Sequence, residues 1–230
     1  MRRYTRQIML SEIGEIGQRR IRQSSVLVVG AGGLGSVVCP YLVAAGIGKL
    51  MIIDADTVSL DNLQRQVLYR EHQVGKSKAV EAKKSLQSLN SEVEIAAFYD
   101  YFSPENAEEL VKNADIVIDA CDNFKTRYLI NDVCVRLGKP FVYGAISEFC
   151  GQLAVFNYKG GSTYRNLFPD EDEMIASQKE VVGVFGVLPA VIGSLQVNEA
   201  LKLITNCGEP LANKLFMLNL KTNHTSIVDL

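Results

Sequence analysis

Gly30-Ala31-Gly32-Gly33-Leu34-Gly35 is a GxGxxG run placed directly after the apolar tetrad Val26 to Val29. Glycines at those spacings let a backbone turn tightly and approach phosphates, and the helix start that follows offers unpaired N–H groups and positive potential. A glycine turn kept only for packing is the weaker reading. Asp54 lies 19 positions past Gly35, at the end of a second apolar run, where a carboxylate can accept hydrogen bonds from the ribose of an adenine nucleotide. NAD, FAD and ATP all present an adenosine and phosphates, so the loop by itself leaves the nucleotide open. The next segment narrows it. Asp56 and then Asn62-Leu63-Gln64-Arg65-Gln66 come after the ribose position, followed by Gly75-Lys76-Ser77-Lys78. Arg65 and Lys78 are cations close in sequence to the site, and cations suit a triphosphate whose charge builds as diphosphate departs. Hydride transfer would call for an apolar nicotinamide pocket instead. Lys76 reads as a solvated surface residue; Lys78 does not. Asp119-Ala120-Cys121-Asp122-Asn123 follows a third apolar run, in the position where ligands collect outside the carboxyl ends of strands. For Asp119 the spacing leaves two readings even, a ligand to ATP-bound Mg²⁺ and a helix cap, and Asp122-Asn123 also suits a cap.

Hydrophobic periodicity supplies the elements that must hold these residues. Val26 to Val29 reads as a buried parallel strand, Leu34 to Ala45 as a helix that Pro40 should kink, and Leu50 to Ile53 as a second strand. The alternation continues with a helix over Ser77 to Leu89, a strand over Val93 to Phe98, and a helix over Glu105 to Lys112 opened by Ser103-Pro104. A strand at Ile116 to Ile118, a helix over Lys125 to Leu137 and a strand at Phe141 to Tyr143 follow. Ser103 does not begin a full capping box, because Asn106 rather than Glu or Gln stands third after it. After Gly144 the pattern changes to a strand at Gln152 to Asn157, a turn at Tyr158 to Ser162, and an acidic loop at Asp170 to Glu173. An apolar helix over Phe185 to Ile204 contains Pro189, and Lys214 to Leu220 with Thr225 to Leu230 alternate as a terminal hairpin would. The expected fold class is α/β and Rossmann-like, a mostly parallel sheet with helices on both faces and an antiparallel C-terminal extension.

Composition sets the outer bounds. With 230 residues, 47% apolar and 22% charged, the chain has the make-up of a soluble globular protein. Its 24 basic and 26 acidic side chains give a formal charge of −2, which argues against a general nucleic-acid or membrane-surface binder. Residues 26–48 carry no charge and are long enough to span a bilayer, but four glycines at a strand-to-helix turn explain the stretch better. Five cysteines without a CxxC pair, and no signal peptide, point to reduced thiols and a cytoplasmic location.

Arg3-Tyr4-Thr5-Arg6-Gln7, the glycine loop, Asp54-Ala55-Asp56, Asn62 to Gln66, Gly75 to Lys78 and Asp119 to Asn123, in that order, resemble the ThiF/MoeB/HesA family, bacterial relatives of the ubiquitin-activating enzymes. The resemblance spans nearly the whole chain. It implies one adenylating domain over 1–230, with a nucleotide-binding half at 1–150 and a carrier-docking and dimer half at 151–230. It implies MgATP-dependent adenylation of the C-terminal glycine of a ubiquitin-like, β-grasp sulfur carrier of ThiS or MoaD type, in thiamine or molybdopterin synthesis. By position, it puts Gly30, Gly32, Gly33 and Gly35 at the phosphates and Asp54 at the ribose with Asp56 beside it. It makes Asn62, Arg65 and Lys78 triphosphate ligands with Gln64 close by, Asp122 the essential acid near Mg²⁺, and Arg6 a residue reaching into the other subunit of a homodimer. The helix around Ser194 to Leu201 resembles the segment near the carrier's docking surface.

Departures from the family pattern carry expectations too. The place of a first zinc-binding CxxC pair reads Thr163-Tyr164-Arg165-Asn166, so no zinc is expected. The loop before the last long helix, Ala176-Ser177-Gln178-Lys179-Glu180, lacks the cysteine that some members link to the carrier. Asp170 to Lys179 can still form a crossover under which the carrier's tail passes. Cys121 and Cys150 are expected to be buried small residues, and His72 and His224 structural or surface ones. An NAD(P)-dependent oxidoreductase, favoured only by the glycine loop and Asp54, and a catalytically silent β-grasp-binding relative are the alternatives.

Overall fold

The computed structural model describes residues 2–178 and 182–230; Lys179 and Glu180, within the expected crossover and thiol-free loop, lie outside them. Two short N-terminal helices, α1 (Thr5–Ile8) and α2 (Gly14–Gln23), precede β1 (Ser25–Val29), α3 (Gly35–Ala45) and β2 (Lys49–Ile53). After a long connection come α4 (Lys78–Leu89), β3 (Glu94–Phe98), α5 (Pro104–Lys112), β4 (Ile116–Asp119), α6 (Phe124–Arg136) and β5 (Phe141–Ser147). Next are β6 (Cys150–Phe156), α7 (Tyr164–Leu167), α8 (Glu171–Ala176), α9 (Leu188–Thr205), β7 (Lys214–Asn219) and β8 (His224–Asp229).

The strands form one sheet in the order β3-β2-β1-β4-β5-β6-β7-β8. The first five pair in parallel, Val26 opposite Leu50 and Ile116; from β5 onward the pairing is antiparallel through two hairpins. Buried on both faces, the central strands are continuous aliphatic runs, and their alternate residues enter different cores. Val26, Val28, Leu50 and Ile52 pack with α3, α4 and α9 on one face. Leu27, Val29, Met51 and Val117 pack with α5, α6 and Tyr164 on the other. The connections leaving β1 and β4 run in opposite directions across the sheet, which opens a crevice beyond their carboxyl ends.

Several expectations are corrected. Asp170 to Glu173 is not a loop: Asp170 accepts the Glu173 N–H at 2.9 Å and opens α8, whose first turn is all acidic and so favoured by the helix dipole. The last long helix starts at Leu188, three residues later than expected, so Pro189 sits in its first turn, where a missing N–H costs nothing. β5 runs to Ser147 rather than Tyr143, because its far end pairs with β6. Asn106 supplies the return half of the capping box after all, its Oδ1 accepting the Ser103 N–H at 3.0 Å. α3 continues through Pro40 without a break.

Candidate functional site

The glycine loop leaves β1 at Gly30, whose φ is +101°, a left-handed conformation that disfavours any side chain. A methyl group there would also lie 2.5 Å from the Ala120 carbonyl oxygen, so β1 and β4 meet at the loop's root; one on Gly35 would strike the Gly30 carbonyl. Ala31 is anchored at both ends: its N–H donates to Asp54 at 2.6 Å and its carbonyl accepts from the Tyr69 hydroxyl at 2.7 Å. Beyond it, the N–H groups of Gly32, Gly33 and Leu34 find no acceptor among the described residues. Three free donors at the start of an eleven-residue helix form a ready anion cradle.

Asp54 ends β2 and holds the loop with one oxygen while the other accepts the Asp56 N–H at 2.8 Å. Burial pushes its carboxyl up from the usual value, against the two backbone donors that lower it. Asp56 pairs with Lys78 at 2.9 Å; the lysine side chain is 5% exposed and the aspartate 62%. Lys78 therefore lies inside the fold, linked to the glycine loop through Asp56 and Asp54, and Lys76 is exposed, as expected. The long β2–α4 connection lays its own residues along the loop. Arg65 Cδ comes within 3.9 Å of a methyl group placed on Gly33, and its guanidinium donates weakly to the Asp61 carbonyl at 3.4 Å. Asn62 accepts from Gln66 Nε2 at 3.1 Å, and that nitrogen would stand 3.6 Å from a side chain on Gly32. Gln64 is exposed, with Gly186 pressed so closely on it that a side chain there would collide. Asn62, Arg65, Lys78, Asp54 and Asp56 thus surround the glycine loop, with Gln64 at the rim.

Asp119 answers its open question with neither of the expected roles. It is fully buried and bound to Arg127 Nε at 2.7 Å, an ion pair inside the sheet's crevice. Asn123, not Asp119, caps α6 by accepting the Thr126 N–H at 2.8 Å. Asp122 is exposed, and among the described residues its carboxylate meets only the Asn123 amide, at 3.5 Å. Free oxygens on a carboxylate fit a hard cation such as Mg²⁺, and Gly32, with nothing nearer than the Gln66 amide, leaves room for phosphate. Gln66 was no sequence candidate. It is buried, and its Oε1 makes no hydrogen bond.

Arg6 is exposed on α1, beside Gln7, whose amide reaches Ala45 at the end of α3. The glycine loop is at the start of α3, ~16 Å away along the helix, so Arg6 lies beyond reach of its own chain's cradle. Tyr164 and Arg165, where zinc-binding family members place a CxxC, begin α7 and serve packing. Tyr164 is buried among Tyr128, Tyr143, Phe156 and Phe168, and Arg165 bridges Asp132 and Glu171 at 2.7 Å each. No metal-ligating cluster of three His, Cys, Asp or Glu occurs among the described residues. Cys150 is exposed at a hairpin tip rather than buried, and Cys121 is half-buried; His72 and His224 are on the surface. None of the described helices is long and apolar enough to cross a membrane.

The ThiF family matches residues 4–230. A sulfur carrier protein adenylyltransferase of Thermus thermophilus is 49% identical over 222 residues, covering 94% of this chain and 82% of that protein. The adenylyltransferase and sulfurtransferase MOCS3-1 of Zea mays is 44% identical over 99% of this chain but 49% of its own length, so the chain spans about half of relatives of that kind. Among solved structures, Escherichia coli MccB with ATP shares the fold, with a TM-score of 0.87 and 24% identity over 100% of this chain and 71% of that one. The glycine loop, the cation-bearing connection and the acid after β4 keep their order within a match that runs from Tyr4 to the last residue, and the chain belongs to the ThiF family.

Proposed function

We propose that this chain is an ATP-dependent adenylyltransferase that activates the C-terminal glycine carboxylate of a ubiquitin-like sulfur carrier, acting as a homodimer. The observation that carries the reading is Lys78, a buried ammonium held beside a glycine loop with three free N–H donors. Asp56 already pairs with the ammonium, but that partner is exposed and open to competition from a bound anion, whereas a nicotinamide pocket gives the cation no task. An anion does.

The carrier's terminal carboxylate attacks the α-phosphorus of ATP; the new P–O bond forms as the bond to the bridging oxygen of the diphosphate breaks. The nucleophile is already an anion at neutral pH, so no general base is needed. Gly30, Gly32, Gly33 and Gly35 let the backbone come close and donate to the phosphates, and Asp54, steadied by Ala31 and Asp56, accepts from the ribose. Arg65 and Lys78, with Asn62 and Gln64 alongside, meet the negative charge that spreads over the departing diphosphate. Asp122 would hold Mg²⁺, which neutralises phosphate charge when bound. Arg6, out of reach of its own loop, serves the partner subunit's site. The Ala176 to Glu180 segment supplies no thiol for a covalent link to the carrier, and the reading extends to adenylation alone.

The test is ATP–pyrophosphate exchange with a purified β-grasp carrier ending in glycine. Exchange that appears only when the carrier is present supports the reading. Absence of exchange together with enhanced NADH fluorescence on mixing would transfer the chain to the oxidoreductases.

A further inference from the structure

We propose that Gln196 and the Asp119–Arg127 ion pair form a positioning device for Asp122, an inference that rests on the adenylation reading above. Cys121 immediately precedes Asp122, and both of its backbone groups are taken: its N–H donates to Asp119 Oδ1 at 3.1 Å and its carbonyl accepts from Arg127 Nη2 at 3.2 Å. Asp119 and Arg127 are joined through Oδ2 and Nε at 2.7 Å, so a single pair holds the two successive peptide groups that flank the Cys121 Cα. The guanidinium also reaches the Gly144 carbonyl at 3.5 Å and lies between the rings of Tyr143 and Tyr164, 5.1 and 6.0 Å from their centroids. From α9, Gln196 Nε2 donates to the Asp119 carbonyl at 2.6 Å and the Val142 carbonyl at 3.3 Å. Gly144 leaves room for that amide; any side chain there would run into it.

The arrangement fixes the backbone of the turn and leaves the Asp122 side chain exposed. Stability alone does not account for it. A buried ion pair recovers its desolvation only in part, and apolar residues of similar volume usually serve the fold as well or better. Gln196 keeps an Oε1 without a partner at a fully buried position, a cost that packing does not require. What the three side chains do instead is tie β4, β5, α6 and α9 to the one turn that carries the acid.

The apolar double variant Asp119→Leu/Arg127→Met separates position from stability, with Gln196→Met and Arg127→Lys as single-site companions; lysine keeps the charge but cannot fork to two carbonyls. Melting temperature, ATP affinity in EDTA, exchange kinetics and amide hydrogen exchange at Cys121 to Asn123 are measured in each. The double variant should melt at or above the wild-type temperature and bind ATP within about twofold of it, while kcat for carrier-dependent exchange falls by roughly ten- to a hundredfold. Amide exchange at Cys121 to Asn123 should quicken in all three variants. A double variant with wild-type kcat and protected amides overturns the proposal, and so does one that fails to fold, since that assigns the pair to stability alone. If the wild type itself shows no carrier-dependent exchange, the functional reading fails, while the amide measurement still decides whether these residues hold the turn.

Discussion

Lys78 is buried in an ion pair and Asp122 is exposed, and the two should respond differently to removal. Lys78→Met keeps the buried stem and deletes the charge; carrier-dependent exchange should fall by roughly a hundred- to a thousandfold, the usual loss for a preorganised electrostatic group. Asp122→Ala should abolish exchange with an unchanged melting curve, because among the described residues its carboxylate meets nothing but the Asn123 amide at 3.5 Å. Retained activity would remove Asp122 from the chemistry. The burial of Lys78 was legible in its short motif, whereas the spacing around Asp122 suggested only a helix cap, and its role as the essential acid comes from the family resemblance. Asp119 was half legible. Its place at the carboxyl end of β4 marked it, but its partner Arg127 stands eight positions on, and only the direction of the α6 side chain makes them meet. Gln66 and Gln196 left no signal in the chain, since an uncharged amide becomes informative only once its burial is known. Cys150 misled for the opposite reason: a cysteine is more often inside than out, and this one sits at a hairpin tip.

At the scale of elements, the acidic segment after α7 teaches the most. Asp170 to Glu173 looked like a solvated loop because four acids in a row repel each other, yet a cap at Asp170 and the positive end of the helix turn them into α8. Arg165 then ties α8 to α6 by bridging Glu171 and Asp132, and its hydrogen bond holds the Asp132 carboxyl below the usual carboxylate value. The sign follows. A lowered native pKa adds stability that is present above the ordinary value of 3.8 and is lost as pH falls through the lowered one. Asp132→Asn should therefore be less stable than wild type at pH 7, by under about 1 kcal/mol given the solvent screening, and the gap should close on acid titration of the melting temperature. Next to it, Tyr164 fills the aromatic cluster with a buried hydroxyl that finds no hydrogen-bond partner among the described residues. Tyr164→Phe should be neutral or stabilising by up to about 1 kcal/mol, whereas Tyr164→Ala should cost about 3–5 kcal/mol; urea unfolding measures both. The parallel half of the fold was legible to within a few residues, since strands buried on both faces are unbroken aliphatic runs. Boundaries set by long-range pairing, such as the extension of β5 against β6, were not.

For the whole molecule, the sheet divides the labour. Its parallel half makes the crevice, and its antiparallel half extends the surface on the far side of β5. Arg6 is stationed at the wrong end of α3 for its own chain, which gives the dimer proposal a geometric footing. Mixing inactive Arg6→Ala and Asp122→Ala proteins should restore part of the exchange activity, because a heterodimer holds one site with both residues intact. No recovery in a heterodimer demonstrated by mass would argue against shared sites. The displacement of Arg6 has a further consequence. If the proposed dimer shares its sites, each polypeptide on its own carries two incomplete halves, so turnover per mole of protein should be no constant of the preparation: it should sink on dilution below the association threshold and climb again on reconcentration.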